Sequence, residues 1–267
     1  MIETRYIAET PRLAVDVGGE GEWLFFLHGI GGNRGNWREQ LEFFAPRYRV
    51  AAWDARGWGA SDDYPGPLDF ADFSRDLVRA MDQLGAQRAH FVGLSMGGFI
   101  LQDFYPRHAG RVLSMVLADT SLGPRVDHGD EWIEEFLRLR RKPLLEGRRP
   151  RDIAPAVAKN LAGRHAGADV VRRLEESIAA LRSESYLKAL DTVTRYKSPA
   201  DPGSIRVPVL VLVGEDDTLT PPASSRRLAA AIPDARLVVL PRAGHLSNIE
   251  QPEAFNRAVA AFLEGLR

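Results

Sequence analysis

The residues whose types and spacing carry the most chemistry lie in the stretch Phe91-Val92-Gly93-Leu94-Ser95-Met96-Gly97-Gly98. A short apolar run, residues 89–92, leads into a serine between two glycines. A helical pattern, residues 99–105, leads out and is expected to end at Pro106. A strand that turns this sharply into a helix strains the backbone of the central residue and leaves no room for side chains beside it, so glycine is needed there. The turn lifts the Ser95 hydroxyl above a sheet and sets it at a helix N-terminus, where free N–H groups and the dipole favour developing negative charge.

A serine hydroxyl is a poor nucleophile at neutral pH. It needs a base beside it, and the base needs an orienting carboxylate. Of the six histidines, His245 is the candidate base, because Arg242-Ala243-Gly244-His245 follows a strand pattern at residues 236–240. His28 precedes a glycine loop and is expected to hold that loop by hydrogen bonds. His90 starts a strand, and His108, His128 and His165 lie in polar segments and read as surface residues. The acid is expected in Gly214-Glu215-Asp216-Asp217, after the strand pattern 207–213. Spacing alone leaves its three neighbouring carboxylates open, with Asp119 as a weaker alternative. The order serine, acid, histidine is the one such a site takes on a parallel sheet.

The tetrahedral intermediate needs preorganised donors. The backbone N–H of Met96, next to the serine, is one candidate. The backbone N–H of Ile30, in His28-Gly29-Ile30-Gly31-Gly32, is the other. A glycine loop can also cradle phosphate, but here no Lys-Ser/Thr follows and the dinucleotide spacing is missing. No two histidines have metal-ligand spacing, so neither a metal nor any other cofactor is expected.

These residues need elements to position them. Residues 12–17 alternate as an exposed antiparallel strand does, and 23–27 and 49–53 are apolar runs suited to strands buried on both faces. Residues 37–44 and 70–84 have helical spacing, and 111–118 is the next strand. From about 123 to 202 the patterns are helical, without a convincing strand. Strands then resume at 207–213 and 236–240, with helices at 222–232 and 252–266. Repeated strand–helix units imply a parallel sheet covered on both faces. A helical insertion between two units would lie over the carboxyl ends of the strands, where such sheets bind ligands.

The chain has 267 residues, 45% of them hydrophobic, enough for one large α/β domain. With 35 basic and 36 acidic residues the net charge is -1, which gives no reason to expect nucleic acid or a membrane surface as partner. There is no cysteine, which excludes disulfides and thiol catalysis. Residues 1–6 are polar and do not read as a signal peptide, and no apolar run approaches membrane-spanning length, so a cytoplasmic protein is expected. A homo-oligomer is left open.

Five features together resemble the α/β-hydrolase family over essentially the whole chain. They are His28-Gly29-Ile30-Gly31-Gly32, the run from Asp54 to Ser61, Gly93-Leu94-Ser95-Met96-Gly97-Gly98, Gly214-Glu215-Asp216-Asp217-Thr218-Leu219-Thr220-Pro221, and Gly244-His245. The resemblance implies an α/β-hydrolase fold: a mostly parallel central sheet with helices on both faces, a core of residues 1–122 and 202–267, and a helical cap of residues 123–201. It assigns the acid to Asp217. The stretch Gly244-His245-Leu246-Ser247-Asn248-Ile249-Glu250-Gln251-Pro252 is similar to the 3-oxoadipate enol-lactonase group, which implies hydrolysis of a small ester or lactone, one bearing a carboxylate included. Carbon–carbon bond hydrolases of vinylogous diketones are the alternative, but they typically carry asparagine where this chain has Leu94. Dehalogenases use aspartate where it has Ser95. Perhydrolases, and receptors built on the same fold, are further alternatives.

The cap should set the substrate. Trp132, Phe136 and Leu137 are candidates to line an apolar pocket, with Trp37 at its floor. Arg125, Arg138, Arg140 and Arg141 are candidates to meet a substrate carboxylate, although arginines beside Glu131, Glu134 and Glu135 more commonly form a solvated face.

Overall fold

The computed structural model describes residues 1–198 and 201–266. Residues 199–200, inside the expected cap, and residue 267, at the end of the expected core, lie outside the described residues. Eight strands form one sheet: β1 Glu3–Ile7, β2 Leu13–Gly18, β3 Trp23–Leu27, β4 Arg49–Trp53, β5 Ala89–Leu94, β6 Val112–Ala118, β7 Val209–Gly214 and β8 Arg236–Leu240. Their spatial order is β1-β2-β4-β3-β5-β6-β7-β8. β2 runs antiparallel to both β1 and β4, and the remaining pairs are parallel.

Period-2 alternation gives this sheet two cores. Phe25, Leu27, Phe91, Met115, Leu117 and Val211 point to one face, where α2 (Ala71–Leu84), α3 (Met96–His108) and α8 (Pro222–Ala231) pack. Leu24, Phe26, Val92, Val116, Leu210 and Leu212 point to the other face, under α1 (Arg38–Phe44) and α10 (Pro252–Glu264). The apolar runs therefore lack a polar face because water reaches neither side of the central strands.

Between β6 and β7 lie α4 (Pro124–Leu145), α5 (Pro150–Leu161), α6 (Ala168–Ala179) and α7 (Ser183–Thr194). α4 is interrupted at Gly129, whose φ of 79° is not helical. α5 packs on α6, and α4 on α7. No helix among the described residues is long and apolar enough to cross a membrane.

Two expectations are corrected, and two elements were not expected. Residues 13–17 are not an exposed strand: β2 is interior, because β1 covers its outer edge. β1 escapes pattern reading because Glu3, Thr4, Arg5 and Tyr6 are all exposed and only Ile7 is buried. α3 runs through Pro106 to His108, since the proline removes one hydrogen bond near a helix end that the packing of Phe104 and Tyr105 already fixes. A short helix, α9 (Ser247–Glu250), follows His245 and was not expected from the sequence.

Candidate active site

Ser95 sits between the last residue of β5 and the first of α3, with φ 53° and ψ -113°. A non-glycine residue in that region costs about 1–3 kcal/mol and persists only where its surroundings enforce it. Here the Ser95 N–H donates to Ala118 O at 2.9 Å, and its carbonyl accepts from Gly98 N and Thr120 Oγ1, each at 2.9 Å. The glycines are required by contact. A Cβ on Gly93 would overlap the Gly97 carbonyl, one on Gly97 would overlap the Leu27 carbonyl, and one on Gly98 would press on the Thr120 side chain.

Asp217 and His245, 28 residues apart, come together at the ends of β7 and β8. His245 Nδ1 lies 2.9 Å from Asp217 Oδ2, and both side chains are buried. The other Asp217 oxygen accepts from Leu219 N and Thr220 N at 2.9 Å each, and Thr220 Oγ1 donates to Oδ2 at 2.7 Å. Burial alone would raise the Asp217 pKa, but the charge and hydrogen bond of His245, with the Thr220 bonds, bring it below the usual value. Burial would lower His245, and the Asp217 charge outweighs it, so the imidazole is raised. The neighbouring acids are engaged elsewhere: Asp216 pairs with Arg164 at 3.0 Å, and Glu215 accepts from Arg242 N. Asp119 accepts from Gly214 N at 2.9 Å and from Ser247 Oγ at 2.5 Å, and burial followed by the Asp217 charge pushes it up.

The glycine loop lies against Ser95, and a Cβ on Gly29 would stand 3.1 Å from the Ser95 Cβ. His28 Nε2 accepts from Ala55 N at 3.0 Å, which leaves Nδ1 to donate to Gly29 O at 2.8 Å. Burial lowers the His28 pKa, in keeping with this neutral tautomer. Asp54 supports the same loop through Arg34, whose backbone N–H and guanidinium both donate to it. Ile30, at the loop tip, and Met96, at the start of α3, line or adjoin the space above Ser95.

Two cavities meet at Ser95 and Ile30. One, of about 30 Å³, is lined by the glycine loop, Trp37, Leu94, His245, Leu161, Leu174 and Ile178. The other, of about 60 Å³, is lined by Phe99, His128, Trp132, Phe136, Leu190 and Val193. Among the described residues no cluster of histidine and acidic side chains could hold a metal ion.

Residues 22–252 match the family model described as alpha/beta hydrolase fold. The chain is an α/β hydrolase. It is 28% identical over 244 residues to 3-oxoadipate enol-lactonase 2 of Acinetobacter baylyi, covering 90% of this chain and 88% of that one. It is 31% identical over 274 residues to 2-hydroxy-6-oxo-6-phenylhexa-2,4-dienoate hydrolase of Burkholderia cepacia, covering 94% and 91%. A malate-bound thermophilic esterase from Thermogutta terrifontis superimposes with a TM-score of 0.89, at 27% identity and 99% coverage of both chains.

In this hydrolase the expected side chains are distributed unevenly. Trp37 lines the first cavity while packing on Phe26 and Phe255, and Trp132 and Phe136 line the second. Leu137 is buried in the core beneath the helices rather than at the cavity wall. Arg138, expected at a substrate carboxylate, is instead an exposed residue paired twice with Glu135 at 2.7 Å. Arg125 pairs with Asp130 and Arg141 with Asp191, while Arg140 lies over the Phe136 ring in an outer cleft. Arg125, Arg138 and Arg141 follow the solvated-face alternative, because acids on α4 and α7 stand within reach of them, whereas Arg140 is half-buried. His128, expected at the surface, is half-buried against Trp132 with ring centroids 4.0 Å apart. The lining residues Leu161, Leu174, Ser177 and Ile178 have no signal in the sequence beyond helical spacing.

Proposed function

We propose that this α/β hydrolase is a cofactor-independent serine enzyme that cleaves a small carboxylic ester or lactone through an acyl-enzyme. The observation that carries the reading is the buried 2.9 Å bond between Asp217 and His245, with His245 lining the cavity that Ser95 also lines. Ser95 attacks the carbonyl and His245 takes its proton. Asp217 holds the imidazole by Nδ1, so that Nε2 is the nitrogen free to act, and it stabilises the imidazolium. The N–H groups of Ile30 and Met96 receive the oxyanion. Protonation of the leaving oxygen by His245 releases the alcohol, or opens the lactone. Water activated by the same imidazole then cleaves the acyl-serine.

Residues 123–201 act as a cap in this reading, with the two cavities taking the acyl and alcohol sides of the substrate. The cavities are small and mostly apolar, which favours short, neutral groups. The enol-lactonase and esterase relatives support ester or lactone chemistry, while the dienoate hydrolase keeps carbon–carbon cleavage as the second reading.

A panel of aryl esters, lactones, enol-lactones and vinylogous 1,5-diketones, assayed with wild type and Ser95→Ala, tests this. Ester or lactone turnover that Ser95→Ala abolishes is expected. Turnover surviving in Ser95→Ala overturns the serine mechanism, and cleavage of the diketones alone overturns the substrate class.

A further inference from the structure

Glu250 closes α9, five residues beyond His245, and its carboxylate folds back onto the loop it follows. Oε2 accepts from Gly244 N at 2.9 Å and Oε1 from Leu246 N at 3.4 Å, the residues on either side of His245. The same Oε2 accepts from Gly163 N at 2.9 Å, in the connection between α5 and α6. The backbones on either side of this carboxylate touch. A Cβ on Gly163 would stand 2.6 Å from Gly244 N, and His245 N donates to Leu161 O at 3.0 Å. The helices held this way supply Leu161, Leu174, Ser177 and Ile178 to the cavity wall at Ser95. At its other end the α5–α6 pair is tied to the glycine loop, where Ser177 Oγ donates to Gly31 O at 2.9 Å.

We propose that Glu250 is a positioning residue: one carboxylate fixes the loop carrying His245 and fastens the α5–α6 pair over Ser95, so closing the cavity and aligning the base are one event. This rests on the reading of His245 as the base. Three backbone N–H groups from the two segments converge on this one partly buried side chain, so its oxygens satisfy donors of both at once. Displacement of a base by about 1 Å is worth about 100-fold in rate.

The test compares Glu250→Ala, Glu250→Gln and His245→Ala on the best ester or lactone substrate, with kcat and KM separated and amide hydrogen exchange followed. Glu250→Ala should lower kcat by about 100-fold with a smaller change in KM. Glu250→Gln keeps an oxygen that can accept from Gly163 and Gly244, and should recover most of that loss. In wild type the Gly163 and Gly244 amides should be protected to the same degree, and Glu250→Ala should free both together. Wild-type kcat in Glu250→Ala, an effect confined to KM, or a glutamine variant no better than alanine overturns the proposal. If Glu250→Ala does not fold, the glutamine variant and wild-type exchange decide, and a Gly163 amide exchanging at the open-chain rate overturns it. Turnover retained in His245→Ala would overturn the base assignment and the proposal with it. A dead His245→Ala beside a fully active Glu250→Ala would overturn the positioning role alone.

Discussion

Asp217 keeps its charge in a place that removes it from water, because three hydrogen bonds and an imidazole replace the lost hydration. Asp119, a buried carboxylate near it, cannot share that advantage. Burial and the neighbouring Asp217 charge favour its protonated form, in which it still accepts from Gly214 and contacts Ser247. The consequence for pH dependence follows from His245, whose pKa is raised above its ordinary 6.5. A general base works in its neutral form, so activity should rise with pH through a midpoint above 6.5, read from the acid limb of kcat/KM. Asp217→Asn removes the charge that raises the imidazole. It should move that limb down and lower kcat by about 10⁴-fold. Asp216→Asn breaks a pair with Arg164, whose side chain is exposed while that of Asp216 is buried, and leaves the Asp217–His245 bond in place, so it should leave kcat within about fivefold. Equal losses in the two variants, from the same rate measurements, would contradict the assignment of Asp217.

At the scale of elements, the β5–α3 turn is dictated by contacts a sequence pattern can anticipate. Three glycines flank Ser95 because backbone or side-chain atoms of β3, α3 and Thr120 occupy the places their Cβ atoms would take. Gly97→Ala should therefore cost about 1–3 kcal/mol of stability, measured by the urea midpoint, since the Leu27 carbonyl belongs to an interior strand that cannot retreat. An unchanged midpoint would mean that the turn relaxes. Other elements were less legible. β1 has no apolar alternation to read, because its role is to cover the edge of β2 with a strand largely open to water. The passage of α3 through Pro106 reflects tertiary packing outweighing a local propensity.

The whole molecule decides what reaches Ser95. The first cavity combines residues from the loop after β3, β5, α5, α6 and the loop after β8. The second combines α3, α4, α7 and the loop after β7. Trp132 is stacked between His128 and Phe136, with centroids 4.0 Å and 4.8 Å away, so its indole forms much of the second wall. Trp132→Ala should enlarge that cavity and raise kcat/KM for longer esters relative to acetate by about tenfold or more, measured over a series of chain lengths. A ratio that stays constant would place substrate on the other side of Ser95.

By itself the sequence determined the alternation of strands and helices, the block of helices after β6, the sharp turn at Ser95, and His245 and the group of three acids as the partners to look for. These rest on short-range physics: apolar periodicity, glycines where no side chain fits, and residues placed at the ends of strands. The choice of Asp217 among its neighbours needed the family resemblance, and the structure gives its geometric counterpart, since Asp217 faces His245 while Asp216 turns to Arg164. The tertiary structure alone decided that β2 is interior, that α4 turns Trp132 and Phe136 inward and Arg138 outward, and that Glu250 reaches both the His245 loop and Gly163. The first depends on which strands pair and the other two on how segments far apart in sequence dock, and a periodicity shows only that an element has an apolar face, not which neighbour that face will meet.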